Sequence, residues 1–172
     1  MGVKLGENVR FYGLPIVRMT KGSSIRIGDR AVLCSDSRFT DLGVNHPVVL
    51  RTLGADAQIV IGNDSGISGG SLCDALSVKL GQECLLGANA TITDTDFHAI
   101  KPDGHRFNIS HQDIAVAAVK IEDNVFIGTG AVVLKGVCVE RKGVVGAMSV
   151  VSKSVGMNEI WAGNSARFIK QI

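Results

Sequence analysis

Of the four histidines in this chain, His98 closes the run Asp94-Thr95-Asp96-Phe97-His98. A neutral imidazole, with an ordinary pKa of about 6.5, can accept a proton near neutral pH. A carboxylate bound to its second ring nitrogen would fix the tautomer and the ring orientation. Asp94 and Asp96 both stand close enough in sequence for that, and either could equally do no more than shape a turn. By number alone, His46, His98, His105 and His111 also permit a three-histidine zinc site.

The elements that must hold these residues are written in a six-residue period. Ile121, Ile127, Val133, Val139, Val145 and Val151 are all aliphatic and equally spaced, with polar, small or glycine residues between them. A helix would place apolar residues three and four apart, and a half-buried strand would alternate them. A strict hexapeptide period instead predicts a parallel β-helix, in which three short faces make one triangular coil. The phase runs back through Leu80, Leu86 and Ile92, then through Ile61, Ile67 and Cys73 after a one-residue slip at Ser77–Lys79. Near the start, Leu5, Phe11 and Val17 fit, followed by Ile27 and Leu33. Small residues recur four positions later, at Ser65, Ser71, Ala90, Ala131 and Ser149, where a large side chain would strike the next coil.

Aromatic residues are only 5% of the chain against 45% hydrophobic overall, so stacked aliphatic ranks must fill the core. The period alone does not give the hand of the coil, and general crossover rules favour the right hand. Two insertions break the beat, at about residues 38–52 and 99–118, and the second begins directly after His98. Insertions in solenoids become loops, and loops on rigid scaffolds are where sites are built. His105 and His111 fall in this insertion rather than on a coil face, which argues against zinc, and no metal is expected. His98 lies six residues after Ile92, an inward place if the coil continued. An unpaired buried histidine is costly, so the break there points to an exposed side chain. Residues 157–172, with Trp161, Phe168 and Ile169, are expected to cap one end as a short helix, making residues 1–172 a single domain.

A net charge of +2, with no dense basic run, excludes a nucleic-acid footprint. No apolar run reaches the roughly 18 residues of a membrane span. The N-terminus lacks the apolar core of a secretory signal, so a cytoplasmic protein is expected. Cys34, Cys73, Cys84 and Cys138 are widely spaced without a CxxC pair, and are expected as reduced core thiols.

The runs IGNDSGISGGS at 61–71, DTDFH at 94–98, IEDNVFIGTGAVVLKGV at 121–137 and WAGNSARFIK at 161–170 resemble the hexapeptide-repeat acyltransferases. The resemblance is nearest to the sugar O-acetyltransferases of the maltose/galactoside acetyltransferase kind and their relatives in surface-polysaccharide synthesis. It implies a left-handed parallel β-helix and a homotrimer with acetyl-coenzyme A in grooves between subunits. His98 would be the general base that takes a proton from a sugar hydroxyl, with Asp94 or Asp96 orienting it. By the same resemblance Gly128, Thr129, Ala147, Ser152, Lys153 and Arg167 line the coenzyme groove. Flat faces that pack side by side are also compatible with a three-fold ring.

The chain departs from the family pattern at Ser165, where proline is common, at Val155-Gly156-Met157 and at Glu140-Arg141-Lys142. The acceptor is expected to be a sugar or glycan precursor gripped by Lys101, Asp103, His105, Arg106, Asn108, His111 and Asp113. N-acetylation of a nucleotide-linked amino sugar, a non-catalytic β-helix scaffold and a γ-type carbonic anhydrase are the alternatives.

Overall fold

The computed structural model describes residues 2–107 and 110–172, without the side chain of His111. Short strands wind as a left-handed parallel β-helix with three faces. The first face stacks Val3–Leu5, Ser24–Ile27, Gln58–Ile61, Ser77–Leu80, Val119–Ile121 and Cys138–Val139. The second stacks Arg10–Tyr12, Val32–Cys34, Gly66–Ser68, Leu85–Leu86, Phe126–Ile127 and Val144–Val145, then continues through Glu159–Ala162 to Arg167–Gln171. The third stacks Ile16–Arg18, Val49–Thr52, Ser71–Asp74, Thr91–Thr93, Val132–Val133 and Val150–Val151.

Stacking is in register, so like sits on like. Ile27, Ile61, Leu80, Ile121 and Val139 form the inner rank of the first face. Leu33, Ile67, Leu86, Ile127 and Val145 form that of the second. Leu50, Leu72, Ile92, Val133 and Val151 form the third. None is more than 3% exposed. Full burial of each contributes about 1.5–3 kcal/mol, which is how a core almost without aromatics holds. Leu5, Phe11 and Val17 are in register with the ranks below them but are 54%, 38% and 39% exposed, because they belong to the first coil.

The first corner repeats one backbone device. Asn8, Arg30, Asp64, Glu83, Asn124, Lys142 and Asn158 all take left-handed φ angles between 54° and 61°. Each such N–H from Arg30 onward donates to a carbonyl one coil back, as Asp64 does to Asp29 and Asn124 to Gln82, both at 2.9 Å. Asparagine and aspartate reach this conformation at the least cost, and four of these seven corners carry one.

Two expectations shift with the register. Cys73 does not point inward; Leu72 does, because Gly69 (φ +53°) and Gly70 tighten the second corner by one residue. The extra residues return at the next corner, where Asp74 turns in, so Ser71 is a strand residue rather than a corner one. The four cysteines are free thiols, with Cys34 and Cys84 buried but Cys73 and Cys138 only half-buried on outward positions. The first excursion ends at Val48, since Val49–Thr52 is a strand of the third face. Residues 157–172 form no helix. Glu159–Ala162 adds a rung to the second face, and Arg167–Gln171 pairs back on it antiparallel. Trp161 packs against the core from this hairpin.

The third corner, between the third and first faces, is irregular and polar inside. Ser23, Thr52, Asp74 and Asp94 are at most 5% exposed and lie along its inner edge. Ser23 and Thr52 share a 2.7 Å hydroxyl contact. Asp94 accepts from the backbone N–H groups of Ala75 (2.7 Å), Leu76 (2.7 Å) and Ser77 (2.8 Å), which staples the wide turn one coil below.

Asp74 has no such support among the described residues, for neither of its oxygens is hydrogen-bonded. Burial, then the neighbouring Asp94 carboxylate, push its pKa from 3.8 up to about 8. The N–H groups of Leu76 and Gln58 pull the other way without meeting either oxygen in hydrogen-bond geometry. Burial thus favours the neutral carboxylic acid form of Asp74 near neutral pH. The folded chain holds this proton where the unfolded chain has released it, so stability falls as pH rises from 3.8 toward about 8 and levels above that. Asp74→Asn should flatten this fall and unfold at a higher temperature than wild type at pH 8. Thermal unfolding from pH 5 to 9 checks it, and parallel curves would sink the buried proton.

Candidate active site

The long insertion leaves the helix at the third corner and is zipped shut at its base. Asp96 N–H donates to Ala115 O at 3.1 Å, Ala117 N–H donates to Asp94 O at 2.9 Å, and Thr95 bridges Val116 antiparallel. Phe97 follows in a left-handed conformation, φ 62°, with its N–H on Thr95 Oγ1 at 3.1 Å. The next residue, His98, donates its N–H back to Asp96 O at 2.7 Å and leaves its side chain exposed. Ala99 is buried directly after it, so the chain is anchored on both sides of the imidazole.

His98 lines a cavity of about 660 Å³ together with Thr95, Phe97, Ile114 and Val116 of the insertion. Its floor is made of small residues, Gly54, Ala55 and Ala75, at the same corner of earlier coils. Arg51 and Leu53 complete the wall. Apolar walls with a few convergent polar groups are the usual composition of a small-molecule site.

The two aspartates divide their work. Asp94 is fully buried and its oxygens accept three backbone N–H groups of the turn, and among the described residues no hydrogen bond joins it to His98. Asp96 instead accepts from Lys135 Nζ at 2.6 Å. The pair is half-buried, at 32% exposure for Lys135 and 22% for Asp96, so it is less screened than a surface ion pair. It ties the first turn of the insertion to the corner of the next coil. Lys135 and Arg51 carried no local sequence signal. Their place here depends on stacking across 39 residues for Lys135 and on the register of the third face for Arg51.

The six coenzyme candidates do not form one cluster. Gly128, Thr129 and Ala147 lie at the second corner, between the second and third faces. A Cβ on Gly128 would stand 2.5 Å from Ala147 N, so the coils touch there through backbone. Arg167 pairs with Ala162 in the terminal hairpin, on the extension of the second face. Ser152 and Lys153 follow Val151 into the third corner, the corner of His98. Ala147, Ser152, Lys153 and Arg167 are exposed, and among the described residues neither cation meets a carboxylate in an ion pair.

Of the expected acceptor residues, Lys101 and Asp113 pair with each other at 2.6 Å, and His105 and Arg106 are exposed. Asn108 and the side chain of His111 lie outside the described residues. Among the described residues no group of three or more His, Cys, Asp or Glu side chains is placed to hold a metal. No helix among them is long and apolar enough to cross a membrane.

A family model described as the hexapeptide repeat of succinyl-transferase matches residues 58–94 and 118–153, on either side of the insertion. The galactoside O-acetyltransferase of Lactococcus lactis is 31% identical over 102 residues, 59% of this chain and 47% of that protein. The mitochondrial gamma carbonic anhydrase 1 of Arabidopsis thaliana is 37% identical over 71 residues, 40% of this chain and 26% of that protein. The chain thus spans half or less of the length of these curated relatives. Among solved structures, the N-acyltransferase AntD of Bacillus cereus, in complex with dTDP-4-amino-4,6-dideoxyglucose and coenzyme A, superposes with a TM-score of 0.69 at 19% identity. That superposition covers 98% of this chain and 82% of AntD, and at such identity it speaks to fold. By its own repeat and fold the chain is a left-handed β-helix of hexapeptide repeats, and over part of its length it is similar to the sugar O-acetyltransferases.

Proposed function

We propose that this protein is an acetyl-coenzyme A-dependent acetyltransferase of a sugar hydroxyl, acting by direct transfer with His98 as general base. The observation that carries this reading is His98 itself, exposed in a cavity of about 660 Å³ on a turn anchored from both sides. A ring nitrogen takes the hydroxyl proton as the oxygen attacks the thioester carbonyl carbon. The C–S bond then breaks, and the departing thiolate recovers a proton from the imidazolium. The thioester is already activated, so the reaction needs proton transfer and positioning rather than a covalent enzyme intermediate. Asp96 is assigned a positioning role through Lys135, and Asp94 a structural one.

The reading includes a homotrimer working in the cytoplasm on a glycan precursor. Within one chain His98 and the Gly128–Ala147 edge occupy opposite borders of the third face. A ring of subunits would set the third corner of one against another chain and rebuild a single groove. Ile100 and Phe107 of the insertion are 79% and 77% exposed, apolar surface that a neighbour would cover.

His98→Ala should lower kcat about 10²–10⁴-fold while coenzyme A binding persists, measured as thiol release with hexoses and amino sugars as acceptors. Activity confined to the amino sugars would replace O-transfer by N-transfer, and an unchanged rate would leave a non-catalytic scaffold. Lys135→Met should lower kcat roughly 10–100-fold, with the coenzyme KM unchanged and much of the loss restored in Lys135→Arg. Equal loss in the methionine and arginine variants would contradict an ion-pair tether.

A further inference from the structure

Among the described residues, Arg51 is the one lining residue of the His98 cavity with a permanent charge. It sits on the outward side of the third face, in register with Cys73 and half-buried. No ion pair or side-chain hydrogen bond engages its guanidinium among the described residues, whereas Arg30 is bound to Asp64 and Arg38 to Asp36. Asp94 lies beneath the same corner, where its carboxylate accepts three backbone N–H groups and makes no ion pair with Arg51 among the described residues. Apart from His98 and Thr95, the remaining lining residues are apolar or small, among them Leu53, Phe97, Ile114 and Val116.

A half-buried guanidinium gives up part of its hydration, and in a low-dielectric cavity its field is stronger than on an open surface. It offers a planar fork of donors that matches a carboxylate or a phosphate in two parallel bonds. A neutral sugar would leave this fork without a counter-charge, whereas an anionic acceptor would complete it.

We propose that Arg51 binds an anionic substituent of the acceptor, and that the preferred acceptor is consequently an acidic or phosphate-bearing sugar rather than a neutral one. Arg51 grips the anion, the small floor admits the ring, and His98 meets the hydroxyl. This rests on the acyl-transfer reading of His98 and narrows its substrate class. It makes Arg51 a specificity residue, acting on acceptor affinity and leaving the chemical step to His98.

The test uses the full chain and matched acceptors: glucose, glucuronate and UDP-glucose, with acetyl-coenzyme A saturating. Wild type should use at least one anionic member with a KM about 10–100-fold below that of glucose, the range for a charge-assisted bond. Arg51→Ala should remove that advantage while leaving kcat, the coenzyme KM and the glucose KM near wild type. Arg51→Lys should keep part of it, since the charge remains and the fork is lost. Preference for glucuronate assigns a carboxylate, and preference for UDP-glucose assigns a phosphate. Equal use of all three acceptors, or an Arg51→Ala effect that falls on glucose as heavily, overturns the proposal while His98-dependent turnover stands.

If no acceptor is acetylated, calorimetric titration with glucuronate and with inorganic pyrophosphate decides separately. Binding weakened at least tenfold in Arg51→Ala sustains the anion site and points the failure at the transfer reading. No binding of either probe, or equal binding in both proteins, overturns it.

Discussion

Each coil of this helix must close on itself and deliver the chain about 4.8 Å further along the axis, in register with the strand it left one turn before. Everything else follows from that closure. The inner position of every strand must be aliphatic, because it sits in a rank with no water on either side. The first corner must repeat its left-handed residue and its cross-coil N–H donation, since a missed bond would leave a buried backbone group unpaired. That is why Arg30, Glu83 and Lys142 accept a conformation that asparagine reaches more cheaply.

The third corner is where closure is relaxed. Between Leu50 and Ile61, between Leu72 and Leu80, and most of all between Ile92 and Ile121, the chain takes more residues than the period supplies. A longer turn leaves backbone N–H groups without coil partners, and buried side chains replace what is missing. Asp94 does this for Ala75, Leu76 and Ser77. The Ser23–Thr52 pair does it two coils earlier, with Thr52 also accepting from Thr20 N–H at 2.9 Å. The small residues that let these turns pass become the floor of the cavity, and the longest turn carries His98 over it. Site and irregularity have one cause.

How much of this could be read from the sequence depends on the range of the interaction. The hexad is local, and it placed the ranks from Ile121 to Val151 as they stand. It also located both insertions, because each is an interruption of a visible rhythm. It failed at Cys73, where two glycines shorten one corner and a later turn restores the count, so the inward residue moved to Leu72 without breaking the pattern downstream. The division between Asp94 and Asp96 was not legible, since the partners of the first are backbone atoms and the partner of the second is Lys135. Arg51 likewise looks like any outward strand arginine until the insertion closes over it. The terminal segment was misread as a helix because its role is set by an edge: Val144–Val145 offers an open rung, and Glu159–Ala162 with Arg167–Gln171 satisfies it.

The division of candidate residues between two corners bears on how such a chain could work. A coil of three short faces cannot fold a concave pocket into its own wall, since its interior is filled by the three aliphatic ranks and the buried polar residues of the third corner. Concavity has to come from a loop that stands off the helix, or from a second helix laid alongside. This chain uses the first device for His98 and Arg51, which share one cavity beside the insertion. At the Gly128–Ala147 edge Ala147 is exposed. Under the proposed activity that edge needs a wall, and the insertion with its exposed Ile100 and Phe107 lies at the wrong corner to supply one in the same chain. A head-to-tail ring brings unlike corners into contact at every interface, and under that reading a base on one border and a coenzyme edge on the other would be reconciled by rotation rather than by any change in the coil.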